Sequence, residues 1–180
     1  YVSFMNPSLL RITGDLTVSL WIKAQTIQNG EPIIINAISG ETEATNALYY
    51  IVWDTTSGND ISYIHENGSG VNSDKVFNTN LSVNVWYHVL VVRDTTANTV
   101  RIFVNGVEPD SALSYTNDPT GGSSNLLEIG RNELIATDTF FPGLIDDVRI
   151  YNRVLSAVEV SALYNSGVAK FNVSPTKYLT

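Results

Sequence analysis

Phe141-Pro-Gly-Leu-Ile-Asp-Asp-Val-Arg-Ile-Tyr-Asn-Arg-Val-Leu-Ser-Ala-Val-Glu-Val-Ser-Ala-Leu-Tyr164 is the stretch on which the fold turns. Leu144, Asp146, Val148 and Ile150 alternate with Ile145, Asp147, Arg149 and Tyr151, the period-two pattern of a strand with two different faces. Ser156 followed by Glu159 spells a capping box, in which each side chain satisfies an orphan backbone N–H of a helix start. Leu155 and Val160 stand at the N′ and N4 positions of a hydrophobic staple. Val160, Leu163 and Tyr164 give a short apolar face, and Gly167 is placed to end the helix in the left-handed region. The stretch predicts a strand running into a short helix, on the scale of a single turn, that lies against a sheet.

Outward from there the chain reads as strands separated by turns. Leu16, Val18, Leu20 and Ile22 alternate with Thr17, Ser19, Trp21 and Lys23, and Ile33-Ile-Ile35 is a short apolar run. The segments 47–53 and 61–65 flank the polar turn Thr55-Thr-Ser-Gly-Asn-Asp60 and predict a hairpin. Residues 86–93 are apolar on both faces, as a central strand covered from two sides requires. Val100, Ile102 and Val104 run into Asn105-Gly106, a strong short-range hairpin signal. Asp118-Pro-Thr-Gly-Gly-Ser-Ser124 is a loop by composition, and residues 126–131 form the strand after it. Many short strands and one late helix predict an all-β fold of two packed antiparallel sheets. Residues 168–180 have no period and contain Pro175, which predicts an extended tail or linker.

Three ordered motifs carry a family resemblance. The run from Gly143 to Tyr164 resembles the C-terminal signature of laminin-G-like, concanavalin A-like jelly-roll domains. Asp15-Leu-Thr-Val-Ser-Leu-Trp-Ile-Lys23 is similar to an early strand of that family. Val85-Trp-Tyr-His-Val-Leu-Val-Val-Arg-Asp94 with Arg101-Ile-Phe-Val-Asn-Gly106 resembles its central hairpin. The resemblance covers residues 1 to about 165 and implies a jelly-roll sandwich with one short C-terminal helix, here bounded as a domain over 1–167. It identifies function poorly, because one superfold hosts many functions. Relatives carry a short strand and an acidic loop ahead of the Tyr-Val-Ser start. Their absence predicts a processed product or part of a longer polypeptide, with an incomplete first strand whose open edge invites a neighbouring strand.

Composition excludes several classes. A net charge of −8 with ten Lys and Arg argues against nucleic acid, and it has the wrong sign for anionic membranes. No apolar run approaches the ~18–20 residues that cross a bilayer. The chain has no cysteine, which rules out thiol catalysis and Cys-ligated zinc. Sequons stand at Asn67, Asn80 and Asn172, a number that an Asn-rich chain reaches by chance.

Catalysis finds little support. Laminarinase-type hydrolases on this fold line up carboxylates in a Glu-x-Asp-x-x-Glu-like run, and no such run occurs here. Asp146 and Asp147 are adjacent and on a strand point to opposite faces. His88 lies inside an apolar strand and reads as a structural histidine. The chain is therefore expected not to be an enzyme.

The resemblance implies that Ca²⁺ is a possible cofactor, held at the sandwich rim with Asp146 or Asp147 as metal ligands. Asn117 and Asp118 are weaker candidates. The alternative for Asp146 is a structural carboxylate that fixes a corner. Sugar binding needs an exposed aromatic platform beside polar groups. Tyr49, Trp53, Tyr63 and His65 cluster in the 47–65 hairpin and are the candidate ligand-binding residues. Tyr49, Ile51 and Trp53 share one face and Tyr50 and Val52 the other, so part of the aromatic set must be core.

The expected function is non-enzymatic recognition, carbohydrate-binding or adhesive, at an extracellular, cell-surface or virion location. The expected partner is a glycan or surface protein. The alternative is a structural decoration or assembly domain, partnered by neighbouring subunits or the rest of a longer chain.

Overall fold

Alternating faces become strands wherever apolar side chains find a second layer to bury against. The computed structural model describes residues 1–5, 8–26, 30–38, 47–55, 58–67, 72–120, 125–132 and 139–171. In chain order the first strands are β1 (Val2–Met5), β2 (Leu16–Ala24), β3 (Glu31–Ile38), β4 (Tyr49–Asp54), β5 (Asp60–Glu66) and β6 (Asn72–Phe77). They continue as β7 (Tyr87–Asp94), β8 (Thr99–Val104), β9 (Leu113–Ser114), β10 (Asn125–Ile129), β11 (Arg131–Asn132), β12 (Thr139–Phe140) and β13 (Gly143–Tyr151). Helix α1 (Ala157–Val168) follows. A six-stranded sheet runs β1-β10-β3-β4-β5-β6, and a five-stranded sheet runs β13-β2-β7-β8-β9. Their strand pairings are antiparallel, and the short pair β11–β12 stands apart from both sheets.

The main core lies between the sheets. Leu16, Val18, Leu20 and Ile22 of β2 meet Tyr49, Ile51, Trp53, Ile61 and Tyr63 of the facing sheet. Alternation sends the other face of β2 and β7 outward, where α1 covers it. Leu90, Val92 and Phe103 pack against Leu155 and Val160, while Trp21 stacks on Tyr164 and Phe171. This second layer explains why β7 is apolar on both faces. Trp86 is half-buried beside Phe171, at 4.7 Å between rings. The turn at Asn105-Gly106 has both residues at positive φ, 52° and 77°, as a two-residue hairpin turn requires.

Helix α1 begins as its sequence dictates. The Glu159 N–H donates to Ser156 Oγ at 3.4 Å, and the Ser156 N–H donates to Glu159 Oε2 at 2.8 Å. Two expectations are corrected. The helix has twelve residues, three turns rather than one. Gly167 does not end it in the left-handed region; the cap is Ala169 in the right-handed region. Gly167 is instead the point where the helix backbone touches an indole, since a Cβ there would lie 2.5 Å from Trp21 Nε1. The packing continues past residue 167 to Phe171, and residues 172–180, with Asn172 and Pro175, lie outside the described residues.

β1 is in register with β10 from Val2↔Ile129 to Met5↔Leu126 and forms one edge of the six-stranded sheet. β13 forms an edge of the other sheet. Among the described residues no helix is long and apolar enough to cross a membrane.

Candidate functional site

The aromatic set expected to bind a ligand lies inside the sandwich. Tyr49, Trp53, Tyr63 and His65 are all 0% exposed, so they form no solvent-facing platform. The reason is the alternation itself. Tyr49, Ile51 and Trp53 occupy the face of β4 turned toward the second sheet, and Tyr63 and His65 continue that face on β5. The tyrosine and histidine tips in this layer find internal partners, whereas Trp53 Nε1 has none among the described residues. Tyr49 Oη donates to the Leu10 carbonyl at 3.0 Å and accepts from Asn36 Nδ2 at 3.1 Å.

Tyr63 and His65 belong to a chain of hydrogen bonds that starts at Arg93, itself fully buried. Arg93 Nη1 donates to Tyr63 Oη at 2.9 Å and to the Leu48 carbonyl at 2.7 Å, and Nη2 donates to the carbonyls of Ile12 and Gly14. His65 Nε2 lies 2.7 Å from the Asn117 carbonyl, which only accepts, so Nε2 carries the proton. His65 Nδ1 then accepts from Tyr63 Oη at 3.2 Å. Burial holds His65 down to about 4, with the Arg93 charge acting in the same direction. The network ties the loops around residues 12–14, 48 and 117 to the core. His88 is likewise structural: its Nε2 is 2.9 Å from Ser19 Oγ, and burial lowers its pKa to about 4.

Asp146 and Asp147 sit at a bulge in β13, where Asp147 takes φ 50°. The bulge removes the strict opposite-face alternation expected of two neighbouring strand residues. Asp146 accepts the Asp147 N–H at 2.7 Å and pairs with Lys170 at 2.9 Å, which holds its pKa below the usual value. Asp147 takes a two-pronged hydrogen bond from Arg149, both contacts at 3.0 Å. Ca²⁺ seeks six to eight oxygen ligands, and these two carboxylates are engaged by cationic side chains. Among the described residues no group of three His, Cys, Asp or Glu is placed to hold a metal. Among the described residues Asp146 and Asp147 are thus held by Lys170 and Arg149 rather than grouped with a third such ligand. Asp118 and Asn117 have other partners, the Tyr115 hydroxyl and His65.

The solvent-facing aromatic pair lies elsewhere. Tyr1 and Phe140 are 72% and 49% exposed, with ring centroids 5.6 Å apart and planes inclined by 47°. Phe140 opposes Arg131 across the β11–β12 ladder, and the Arg131 guanidinium lies 4.8 Å from the centre of the Tyr1 ring. Arg131 also pairs with Glu128 at 3.4 Å. Next in the ladder, Asn132 Nδ2 donates to Tyr50 Oη at 3.1 Å. The Tyr50 ring belongs to an apolar strip with Ile35, Ala37, Ala47, Val52 and Ile64 on the outer face of the six-stranded sheet.

Gly130 (φ 72°) makes the turn into this hairpin, donating to the Ile33 carbonyl at 2.9 Å and accepting from the Phe141 N–H at 3.1 Å. A cavity of about 270 Å³ opens beside Tyr1, between the β1 and β13 edges. The site is thus an aromatic ledge with an adjoining pocket and an Arg–Glu pair behind it. Sequence reasoning missed it, although Phe140-Phe141 carried a signal. Two consecutive aromatics in extended chain point opposite ways, so with Phe141 in the core Phe140 turns out to solvent.

Comparison with known proteins places the fold. The family described as the concanavalin A-like lectin/glucanases superfamily matches residues 1–161, and the chain belongs to it. No curated protein matches the chain. Among solved structures, domain 4 of AbnA, an extracellular arabinanase from Geobacillus stearothermophilus in complex with arabinotriose, is similar at 23% identity and TM-score 0.64. That alignment covers 84% of this chain and 66% of the other. A variant of the NanB sialidase from Streptococcus pneumoniae matches at 20% identity and TM-score 0.70, over 89% of this chain and 26% of the sialidase. A heptameric pentraxin from Limulus polyphemus matches at 17% identity and TM-score 0.61, over 83% and 69% of the two chains. At these identities the likeness shows the fold alone, and the chain spans only part of each of these proteins.

Proposed function

We propose that this member of the concanavalin A-like lectin/glucanase superfamily is a non-enzymatic carbohydrate-recognition module acting outside the cell as part of a larger surface or secreted assembly. The observation that carries the reading is the Tyr1–Phe140 ledge. An exposed pair of rings supplies the apolar platform on which a sugar's C–H face stacks. The Arg131 guanidinium, paired with Glu128, lies 4.8 Å from the centre of the Tyr1 ring and backs that side of the ledge. Support comes also from the arabinanase domain, whose structure contains arabinotriose. The absence of a Glu-x-Asp-x-x-Glu run in the sequence supports the non-catalytic part.

A second reading, an assembly domain without a glycan, draws on the exposed edge strand β1, where Phe4 and Met5 face solvent. A glycan array with the purified chain separates the two. Spots that light with the wild-type chain and fade with Phe140→Ala support recognition on the ledge. Silence across the array transfers the argument to assembly.

A further inference from the structure

We propose that His65 is an acid-sensitive latch on the segment 115–120: when its ring takes up a second proton, that segment leaves the end of β5 while the two sheets stay folded. The latch uses no residue of the Tyr1–Phe140 ledge, so it stands whether or not the ledge binds sugar.

The imidazole is central to the segment's attachment. Tyr115, only 5% exposed, lays its ring edge-on against His65, with centroids 4.8 Å apart and planes at 86°. Two residues on, the Asn117 carbonyl accepts from His65 Nε2 at 2.7 Å. The contact at the segment's far end is longer: the Thr120 N–H donates to the Glu66 carbonyl at 3.4 Å, beside the bridge between Asn67 and Thr120. The Tyr115 N–H holds the near end through the Asn98 carbonyl at 3.0 Å, and its hydroxyl donates to Asp118 within the segment at 2.8 Å. Apart from Tyr115 and Pro119 the segment is exposed or half-buried. Its release uncovers little apolar surface, which is the character of a unit that opens more easily than the whole domain unfolds.

The second proton has no place in the closed arrangement. Neutral His65 donates from Nε2 and accepts at Nδ1 from the Tyr63 hydroxyl, which itself accepts from Arg93 Nη1 at 2.9 Å. A proton on Nδ1 would face that hydroxyl and leave the hydroxyl's own hydrogen without an acceptor. Arg93 of β7 and Lys75 of β6 oppose a cation at His65, whereas the Asn117 carbonyl and Asp118 of the segment favour one. Burial keeps the Tyr63 and Tyr115 hydroxyls neutral. Burial of the ring itself decides the balance against the charged form and holds its pKa to about 4. With the segment away, water reaches the ring and its ordinary 6.5 returns.

Linkage sets the size of the effect. With about 4 closed and about 6.5 open, the equilibrium constant for opening should rise about twentyfold from pH 7 to pH 5.

Amide hydrogen exchange followed by NMR, corrected for the intrinsic pH dependence of exchange, tests this at the Tyr115 and Thr120 N–H groups. Amides of β2 and β7 report opening of the whole domain. The expected result is a fall of about twentyfold in protection at the two segment amides between pH 7 and pH 5. At both values they should stay at least about tenfold less protected than β2 and β7. His65→Gln, which keeps a neutral donor for the Asn117 carbonyl, should abolish the fall. His88→Gln should preserve it, because His88 packs against Trp21 and Tyr164 on the far face of β7 and stays buried when the segment opens. A second reading needs no variant: in the folded wild-type chain the His65 ring signal should titrate well below the ordinary histidine range.

Protection at Tyr115 and Thr120 that is unchanged between pH 7 and pH 5, or that falls as far in His65→Gln as in the wild type, would overturn the proposal. So would segment amides as well protected as those of β2 and β7, since the segment would then open only with the whole domain. A His65 ring that titrates near 6.5 in the folded chain would remove the latch at its source.

Discussion

Acidifying the protein from about pH 7 to about pH 4 should remove stability through two buried imidazoles, His65 and His88. Each is at most 1% exposed, and burial lowers each to about 4 from an ordinary 6.5. In the folded chain both stay neutral across this range, while in the unfolded chain both take up a proton below about pH 6.5. A depressed histidine therefore contributes stability that is complete above the unfolded value and is lost as pH falls toward the folded one. A gap of roughly 2.5 units at ~1.36 kcal/mol each gives ~3 kcal/mol per histidine. For a domain of this length that is roughly 6–12 °C in Tm per histidine.

The geometry agrees with the sign. His65 uses both ring nitrogens in one neutral tautomer, and a second ring proton would point at a hydroxyl that donates toward it. The lowered carboxylates, Asp15 held by Thr95, Asp146 held by Lys170 and Glu159 held by Arg153, begin to lose their contribution only below about pH 5, so the slope between about pH 6.5 and about pH 5 belongs to the histidines. Urea or thermal melts from about pH 7.5 to about pH 4 read the slope, and His65→Gln or His88→Gln should each remove about half of it. A stability that stays flat between about pH 6.5 and about pH 4.5, or a slope unchanged in both variants, would refute the reasoning.

Three further outcomes follow from the packing and the ion pairs. Gly167→Ala should lower Tm markedly, by ~1–3 kcal/mol of overpacking, because its Cβ would land on the Trp21 indole; thermal melts check this, and an unchanged Tm would contradict it. Arg93→Met should cost ~3–5 kcal/mol, since it leaves the Ile12, Gly14 and Leu48 carbonyls and the Tyr63 hydroxyl short of their buried donor; a denaturant titration that finds less than ~1 kcal/mol would contradict it. Added calcium should leave Tm where chelator leaves it, because Asp146 and Asp147 are spent on Lys170 and Arg149; a calcium-dependent rise of several degrees would show a ligand set beyond those two carboxylates.

Local signals were the legible ones. The alternation of Leu16 to Ile22, the double-sided β7, the Asn105-Gly106 turn and the Ser156–Glu159 box each depend on neighbours a few residues away, and each stands in the structure as read. The site depended on longer-range facts. Alternation divided β4 into Tyr49/Trp53 and Tyr50/Val52 faces but carried no information on which face met the other sheet. Both faces are apolar because each is covered, so composition could not choose between them.

Gly167 illustrates a different limit. A glycine near a helix end reads as a terminator, yet here its missing Cβ makes room for an indole that is distant in sequence. The bulge at Asp147, a non-glycine residue at φ 50°, left no mark in the period-two pattern. The ledge joins Tyr1 to Phe140 across about three quarters of the chain, a proximity created by β1 pairing with β10 and the short β11–β12 ladder beside it.

The most direct test of the central claim is the affinity of the strongest array glycan for the wild-type chain and for Phe140→Ala, measured by calorimetry on proteins shown to melt alike. A ledge that binds sugar predicts a loss of at least about tenfold, since removing one ring takes away half of the stacking platform. Affinity unchanged in Phe140→Ala would contradict it and place recognition elsewhere on the domain.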